Sequence, residues 1–192
     1  MKKENIYNVP NFLSMYRLVT FPLILWFIYD SKESLFAMFL CINLITDILD
    51  GLIARVFNLK TEFGAKLDSL ADNGTFIAAF IGLFVFKMDD LSASIWMLWV
   101  FMACFALGLM VSFIKFKQYP SLHLYTTKVG GYVQGIFIFV LFAWGYEPYL
   151  FYLAMIIGYI SHIEEITILL ILKRMKSDAR GLYWVLRDKS FA

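Results

Sequence analysis

The chain has 192 residues, of which 61% are hydrophobic, 19% aromatic and only 17% charged. Soluble domains carry roughly 45–50% apolar and about 25% charged residues, so the composition excludes an ordinary soluble fold and points to one integral membrane domain over residues 1–192. A formal net charge of +2 argues against a nucleic-acid partner, and Cys41 and Cys104, both inside apolar runs, argue against a disulfide framework or a cysteine metal site.

A helix needs about 20 apolar residues to cross a bilayer. A short amphipathic juxtamembrane lead, Met1 to Pro10, introduces the first such stretch, Asn11 to Tyr29. That stretch carries Arg17 and lacks a small-residue cleavage pattern, so no cleavable signal is expected. Further spans are predicted at about Ser34 to Phe57, Phe63 to Phe86, Ser92 to Ile114, Val129 to Trp144 and Pro148 to Leu172. The runs are continuously apolar rather than alternating, which selects helices over barrel strands. The expected fold class is all-α, a bundle of six transmembrane helices.

Basic residues are biased between the loops. The N-terminus, the second and fourth loops and the tail hold Lys2, Lys3, Arg55, Lys60, Lys66, Lys115, Lys117 and Lys128 together with the basic residues from Lys173 onward. The other side holds Lys32 and Lys87, offset by Asp30, Glu33, Asp89 and Asp90. The bias predicts that both termini are cytoplasmic. The basic tail, about residues 173–192, has Leu182, Tyr183, Trp184 and Leu186 as apolar company; it lies along an anionic membrane surface or is simply solvated.

Four carboxylates interrupt the second and third spans: Asp47, Asp50, Asp68 and Asp72. Each costs roughly 2.5–3.5 kcal/mol at the centre of a spanning helix. At 100° per residue Asp47, Asp50, Gly51 and Ala54 share one helix face, and Gly64, Asp68 and Asp72, at i, i+4 and i+8, share another. With the turn near Asn58 to Lys60, an antiparallel hairpin brings the acids to matching depth, on the order of 15 Å below the turn. Four acids this close cannot all ionise without cations. Oxygen-only donors favour a hard ion, Mg²⁺ or Mn²⁺. Gly51 and Ala54 leave room for a ligand beside the acids, and Arg55 at the rim is suited to hold phosphate bidentately. Thr61 can donate to the same phosphate or serve as a plain N-cap. The competing reading is a buried ion-pair network with Arg17, Arg55 and Lys66. Three bases against four acids, with Gly and Ala on the acidic face, disfavour it.

The pattern Asp47-x2-Asp50-Gly51-x2-Ala54-Arg55-x8-Gly64-x3-Asp68-x3-Asp72 resembles the signature of the CDP-alcohol phosphotransferases at every position. The lead Asn8-Val-Pro10-Asn11-Phe-Leu-Ser14-Met-Tyr-Arg17 is similar to the start of phosphatidylglycerophosphate synthases, and Pro120-Ser-Leu-His123 with Lys128 resembles less characterised members. The resemblance implies transfer of a substituted phosphate from a CDP-linked lipid, CDP-diacylglycerol, to an alcohol with release of CMP. It implies that Asp47, Asp50 and Asp68 hold two divalent ions, and that Asp72 touches the second ion and acts as general base. It places Gly51, Ala54, Arg55, Thr61 and Gly64 at the nucleotide and diphosphate, with Asn11 as a neighbour. It further implies a homodimer in a bacterial-type inner membrane with its active site facing the cytoplasm.

Lys115, Lys117 and Lys128 either bind an anionic acceptor or simply obey the positive-inside bias. His162, Glu164 and Glu165 interrupt the sixth span; intramembrane ionisable groups default to function, and pairing with a base from another helix is the alternative. Arg17 reaches the carboxylates or the diphosphate, or snorkels to the interface. The expected function is phosphatidyl transfer, with glycerol 3-phosphate the best acceptor and serine, inositol phosphate and phosphatidylglycerol as alternatives. A divalent-cation transporter would use the same acids, but it needs polar residues continuing across the membrane, and the third and fourth spans are apolar beyond Gly74 and Thr75.

Overall fold

The computed structural model describes residues 8–59, 61–118, 122, 124–173 and 179–187. All regular structure among them is helical. Six helical stretches are long and apolar enough to cross a membrane: α1 (Val9–Tyr29), α2 (Glu33–Val56), α3 (Glu62–Phe86), Met88–Phe116, α6 (Tyr125–Ala143) and α7 (Pro148–Ile171). The fourth of these joins a short α4 (Met88–Leu91), a 3-10 turn (Ser92–Ser94) and α5 (Ile95–Phe116); a short α8 (Leu182–Arg187) follows α7. Large apolar side chains such as Val19, Trp26, Ile48 and Ile114 are exposed while Arg17, Asn43 and Asp50 are buried. That inversion of the soluble pattern suits a lipid solvent.

The chain forms two compact units. The first gathers α1, α2, α3 and the end of α6 from Ile138; the second gathers α5, the rest of α6, α7 and α8.

In the first unit, α1 begins where the sequence carries both an N-cap and a proline. The Asn8 side chain accepts from the Asn11 N–H at 2.9 Å, and Pro10 stands in the first turn where no backbone donor is needed. The helix therefore starts two residues before the predicted span. Asn8 also donates to the Leu59 carbonyl at 3.3 Å, tying the start of α1 to the α2–α3 connection. That connection opens with Asn58 in the left-handed region (φ 53°), while the Leu59 N–H reaches back to the Ala54 carbonyl at 3.0 Å. This is a Schellman stop with Asn in the position glycine usually takes. Thr61 then caps α3, accepting from the Gly64 N–H at 2.9 Å.

One stripe of α1 is buried: Pro10, Asn11, Ser14, Arg17, Thr20, Ile24 and Ile28. Its upper half is polar and its lower half apolar, so α1 lays a polar floor at one end of the three-helix unit and a greasy seam at the other. At the apolar end a Cβ on Gly82 would come within 2.1 Å of the Phe36 ring, so glycine is what lets that ring lie between the helices. Lys87 closes this end, pairing with Glu33 at 2.7 Å under the Phe142 ring.

In the second unit α5 and α7 meet closely because Gly158 has no Cβ; one would approach Phe101 to 2.5 Å. A core of Leu122, Leu124, Ile168, Leu169, Leu172, Ala179 and Val185 packs with Val111, Phe116 and Leu182. The fifth span begins four residues before its predicted start. The polar run Tyr125-Thr-Thr-Lys128 is helical because its donors are satisfied: Tyr125 N–H by the Arg180 carbonyl at 3.0 Å, Thr127 by the Leu124 carbonyl at 2.9 Å and Thr126 by Glu164. Within the predicted tail, the described part is docked rather than frayed. Ala179 and Val185 are buried, while Tyr183, Trp184 and Leu186 remain exposed.

Candidate active site

The facing helices α2 and α3 bring the four aspartates together at the polar end of the first unit. Asp47, Asp50 and Asp68 each offer an oxygen, all within 4.8 Å of one another. Asp50 is buried, with 4% of its side chain exposed, whereas Asp47, Asp68 and Asp72 are 42%, 42% and 49% exposed. One acid thus stands at the back of the cluster and three at its opening.

Arg17 of α1 completes the cluster. Its Nη1 donates to Asp47 Oδ1 and Asp72 Oδ1, both at 2.6 Å, and its Nη2 to Asp50 Oδ2 at 2.5 Å and Asp68 Oδ1 at 2.6 Å. Ser14, one turn before it, adds a hydrogen bond to Asp50 Oδ2 at 3.1 Å. The ion-pair network that the sequence disfavours is therefore present in part, and that expectation is corrected: Arg17 joins it, whereas neither Arg55 nor Lys66 pairs with these acids among the described residues. One guanidinium leaves three of the four negative charges uncompensated. It also occupies only one oxygen of each carboxylate. The donor set left over is all oxygen, partly open and anionic, which fits a hard divalent ion.

Beside the acids lies a cavity of about 430 Å³, lined by Pro10, Asn11, Ser14, Asp50, Gly51, Ala54, Arg55, Leu59, Thr61, Gly64, Ala65 and Asp68. Six sequence-predicted binding residues, Asn11, Gly51, Ala54, Arg55, Thr61 and Gly64, meet here. Each has a local reason for its place. Arg55 folds back along its own helix, donating from Nε to the Gly51 carbonyl at 2.7 Å, and a Cβ at Gly51 would sit 3.4 Å from its guanidinium. At Gly64 a Cβ would fall 2.3 Å from Asn11 Oδ1 and 2.8 Å from Thr61 Oγ1, so only glycine allows α1 and the start of α3 to approach this closely. Thr61 spends its hydroxyl oxygen on capping the Gly64 N–H, and it lies with Gly64 and Ala65 at the cavity, where the positive end of the α3 dipole favours an anion.

With this geometry in place, comparison with known proteins is decisive for the family. The sequence profile of the CDP-alcohol phosphatidyltransferases matches residues 7–163. The chain belongs to this family. Among relatives of this CDP-alcohol phosphatidyltransferase family member, a CDP-diacylglycerol–glycerol-3-phosphate 3-phosphatidyltransferase of Aquifex aeolicus is 42% identical over 65 residues, 34% of this chain and 36% of that protein. The Rickettsia typhi protein of the same name is 33% identical over 86 residues, 43% of this chain and 47% of its own. A cardiolipin synthase (CMP-forming)/mitochondrial hydrolase fusion protein of Schizosaccharomyces pombe is 35% identical over 124 residues, 62% of this chain and 19% of the fusion. The matches thus span less than half the length of each of these relatives. No solved structure matches the chain significantly.

Lys128 is not among the residues lining this cavity; in the second unit its Nζ lies 5.9 Å from the Tyr125 ring centre. Pro120, Ser121 and His123 lie outside the described residues. The ionisable groups of the second unit have local work. Glu164 accepts from the Leu182 N–H at 2.7 Å and from Thr126, and Lys115 donates to the Leu169 and Leu170 carbonyls at 3.0 and 2.6 Å, satisfying the end of α7. His162 lies edge-on to Phe101 and Phe105, with Nδ1 3.5 Å from Glu165. Sequence reasoning missed Ser14, Pro10, Leu59 and Ala65 as cavity residues. The signal for the first two was the polar stripe on α1: residues 10, 14 and 17 fall on one face of a helix that is otherwise apolar.

Proposed function

We propose that this protein transfers a phosphatidyl group from CDP-diacylglycerol to a small alcohol, preferably glycerol 3-phosphate, and releases CMP. The observation that carries the reading is that the cavity and the aspartate cluster are continuous. Asp50 and Asp68 belong to both, so a diphosphate in the cavity lies against the carboxylates.

In this reading the amino end of α3 and the Arg55 guanidinium bind and orient the diphosphate. Gly51, Ala54 and Gly64 admit the nucleotide to the helix backbones, and Asn11 borders it. Asp47, Asp50 and Asp68 would hold two Mg²⁺ or Mn²⁺ ions, with Asp72 as a further ligand. When bound, such ions neutralise the diphosphate and the departing CMP. Asp72, the most exposed of the acids, accepts the proton of the acceptor hydroxyl as its oxygen attacks the phosphorus that carries diacylglycerol and the bond to CMP breaks. The Asp72 carboxyl oxygen not engaged by Arg17 serves this step. The enzyme works as a homodimer in a bacterial-type inner membrane with both termini and the site on the cytoplasmic side, where Lys115 and Lys128 fall under the charge bias.

A second acceptor, phosphatidylglycerol, is favoured by the cardiolipin synthase relative, whose match to this chain extends over 124 residues. One assay separates the readings. Purified protein receives CDP-diacylglycerol, Mn²⁺ and a panel of acceptors, and CMP and lipid products are measured. CMP release dependent on glycerol 3-phosphate is expected. Release dependent on phosphatidylglycerol selects the second acceptor. No CMP with any acceptor, alongside Mn²⁺ flux into vesicles, sinks the enzyme reading in favour of transport.

A further inference from the structure

Arg17 lies at the centre of the aspartate cluster with no part of its side chain exposed. Its two terminal nitrogens carry four hydrogens, and there are four acids. Each acid takes one N–H at 2.5–2.6 Å through a single oxygen: Oδ1 of Asp47, Asp68 and Asp72, and Oδ2 of Asp50. The remaining nitrogen, Nε, is buried with no hydrogen-bond partner. The two terminal nitrogens are thus spent entirely on the acids, and they reach them from a helix that contributes none of them. Four carboxylates in two apolar helices repel one another when no cation lies between them. A planar fork with fixed donors answers four acids at once, which the point charge of a lysine does not.

We propose that Arg17 is an internal counter-ion: it holds the four carboxylates in one arrangement while no divalent ion is bound, so that the site is assembled before the ions arrive. The proposal rests on reading Asp47, Asp50 and Asp68 as a divalent-ion site. Arg17 is a positioning residue in this scheme. It acts through the acids and takes no part in the transfer. In its absence the same acids depend on a divalent ion to remain together, so metal and arginine become alternative sources of one stabilisation.

The test is thermal unfolding of the full chain in detergent, followed by tryptophan fluorescence, in EDTA and in Mn²⁺. It compares wild type with Arg17→Gln and Arg17→Lys. Removing one partner of a buried ion pair is strongly destabilising, so in EDTA Arg17→Gln should melt roughly 10 °C below wild type. Mn²⁺ should restore most of that loss and should shift wild type much less. Arg17→Lys should fall between them. If Arg17→Gln melts with wild type in EDTA, or if Mn²⁺ raises both equally, the counter-ion is overturned. A Mn²⁺ response in neither protein overturns the divalent-ion reading, and the EDTA comparison then still decides the part that concerns Arg17 alone. If Arg17→Gln does not fold, Arg17→Lys decides by the same comparison: it must lose more on EDTA treatment than wild type, and equality overturns the proposal.

Discussion

Both units of this protein carry ionisable side chains in helices otherwise made for lipid, and they treat them differently. In the second unit the charges are spent locally. Both Glu164 oxygens accept hydrogen bonds, from Leu182 and Thr126, and Lys115 satisfies the last carbonyls of α7. In the first unit four acids share one guanidinium through a single oxygen each, and two of them, Asp50 and Asp68, line a cavity. An intramembrane charge is a sign of function when its atoms are left open, and a sign of architecture when its neighbours use them up. Residue type alone does not separate the two cases.

The comparison breaks most sharply at Asp72. Asp72→Asn removes the proposed base while preserving shape, and CMP release should fall by roughly 10²–10⁴-fold with CDP-diacylglycerol binding largely retained. Equal turnover in variant and wild type removes the base assignment. Glu164→Ala, the corresponding change in the second unit, should leave KM for CDP-diacylglycerol unaltered while costing about 1–3 kcal/mol of stability, since it strands the Leu182 N–H and the Thr126 hydroxyl. Protease sensitivity near α8 and the melting temperature report it. A large loss of turnover without destabilisation would move Glu164 into the working site.

Gly64→Ala sharpens the description of the cavity. Its methyl group meets Asn11 and Thr61, so α1 or the cap of α3 must shift, at about 1–3 kcal/mol. Alanine's better helix propensity returns about 1 kcal/mol at most. The expected readout is a raised KM for the nucleotide lipid with a small change in melting temperature, and an unchanged KM would show that the cavity does not hold the nucleotide. The smallest effect is expected at Lys128→Ala: KM for CDP-diacylglycerol should stay constant, because Lys128 does not line the cavity, and a several-fold rise in KM for an anionic acceptor would assign it to acceptor binding. An unchanged acceptor KM removes Lys128 from acceptor binding.

Much of the site was legible because helix geometry is local. The spacing from Asp47 to Asp72 gives the phase of both faces and similar distances from a turn near Asn58 to Lys60, so the meeting of the acids follows from periodicity and one hairpin. The six spans were likewise legible from run length, with boundary errors where capping and satisfied polar side chains extended a helix, at Val9 and at Tyr125. The docking of the segment around α8 was not legible, since it depends on Glu164 and Arg180 meeting partners distant in sequence.

The sequence by itself determined an all-helical chain with six membrane-length helices, the family, and the four acids with their shared face. The tertiary structure alone decided which cation sits among them. Arg17 is 30 residues from Asp47 and 55 from Asp72, and nothing in the periodicity of α1 says which neighbouring helix its buried stripe will face. That choice is made by packing of α1 against α2 and α3, where four carboxylates that repel one another and one guanidinium without access to water have no better partners than each other.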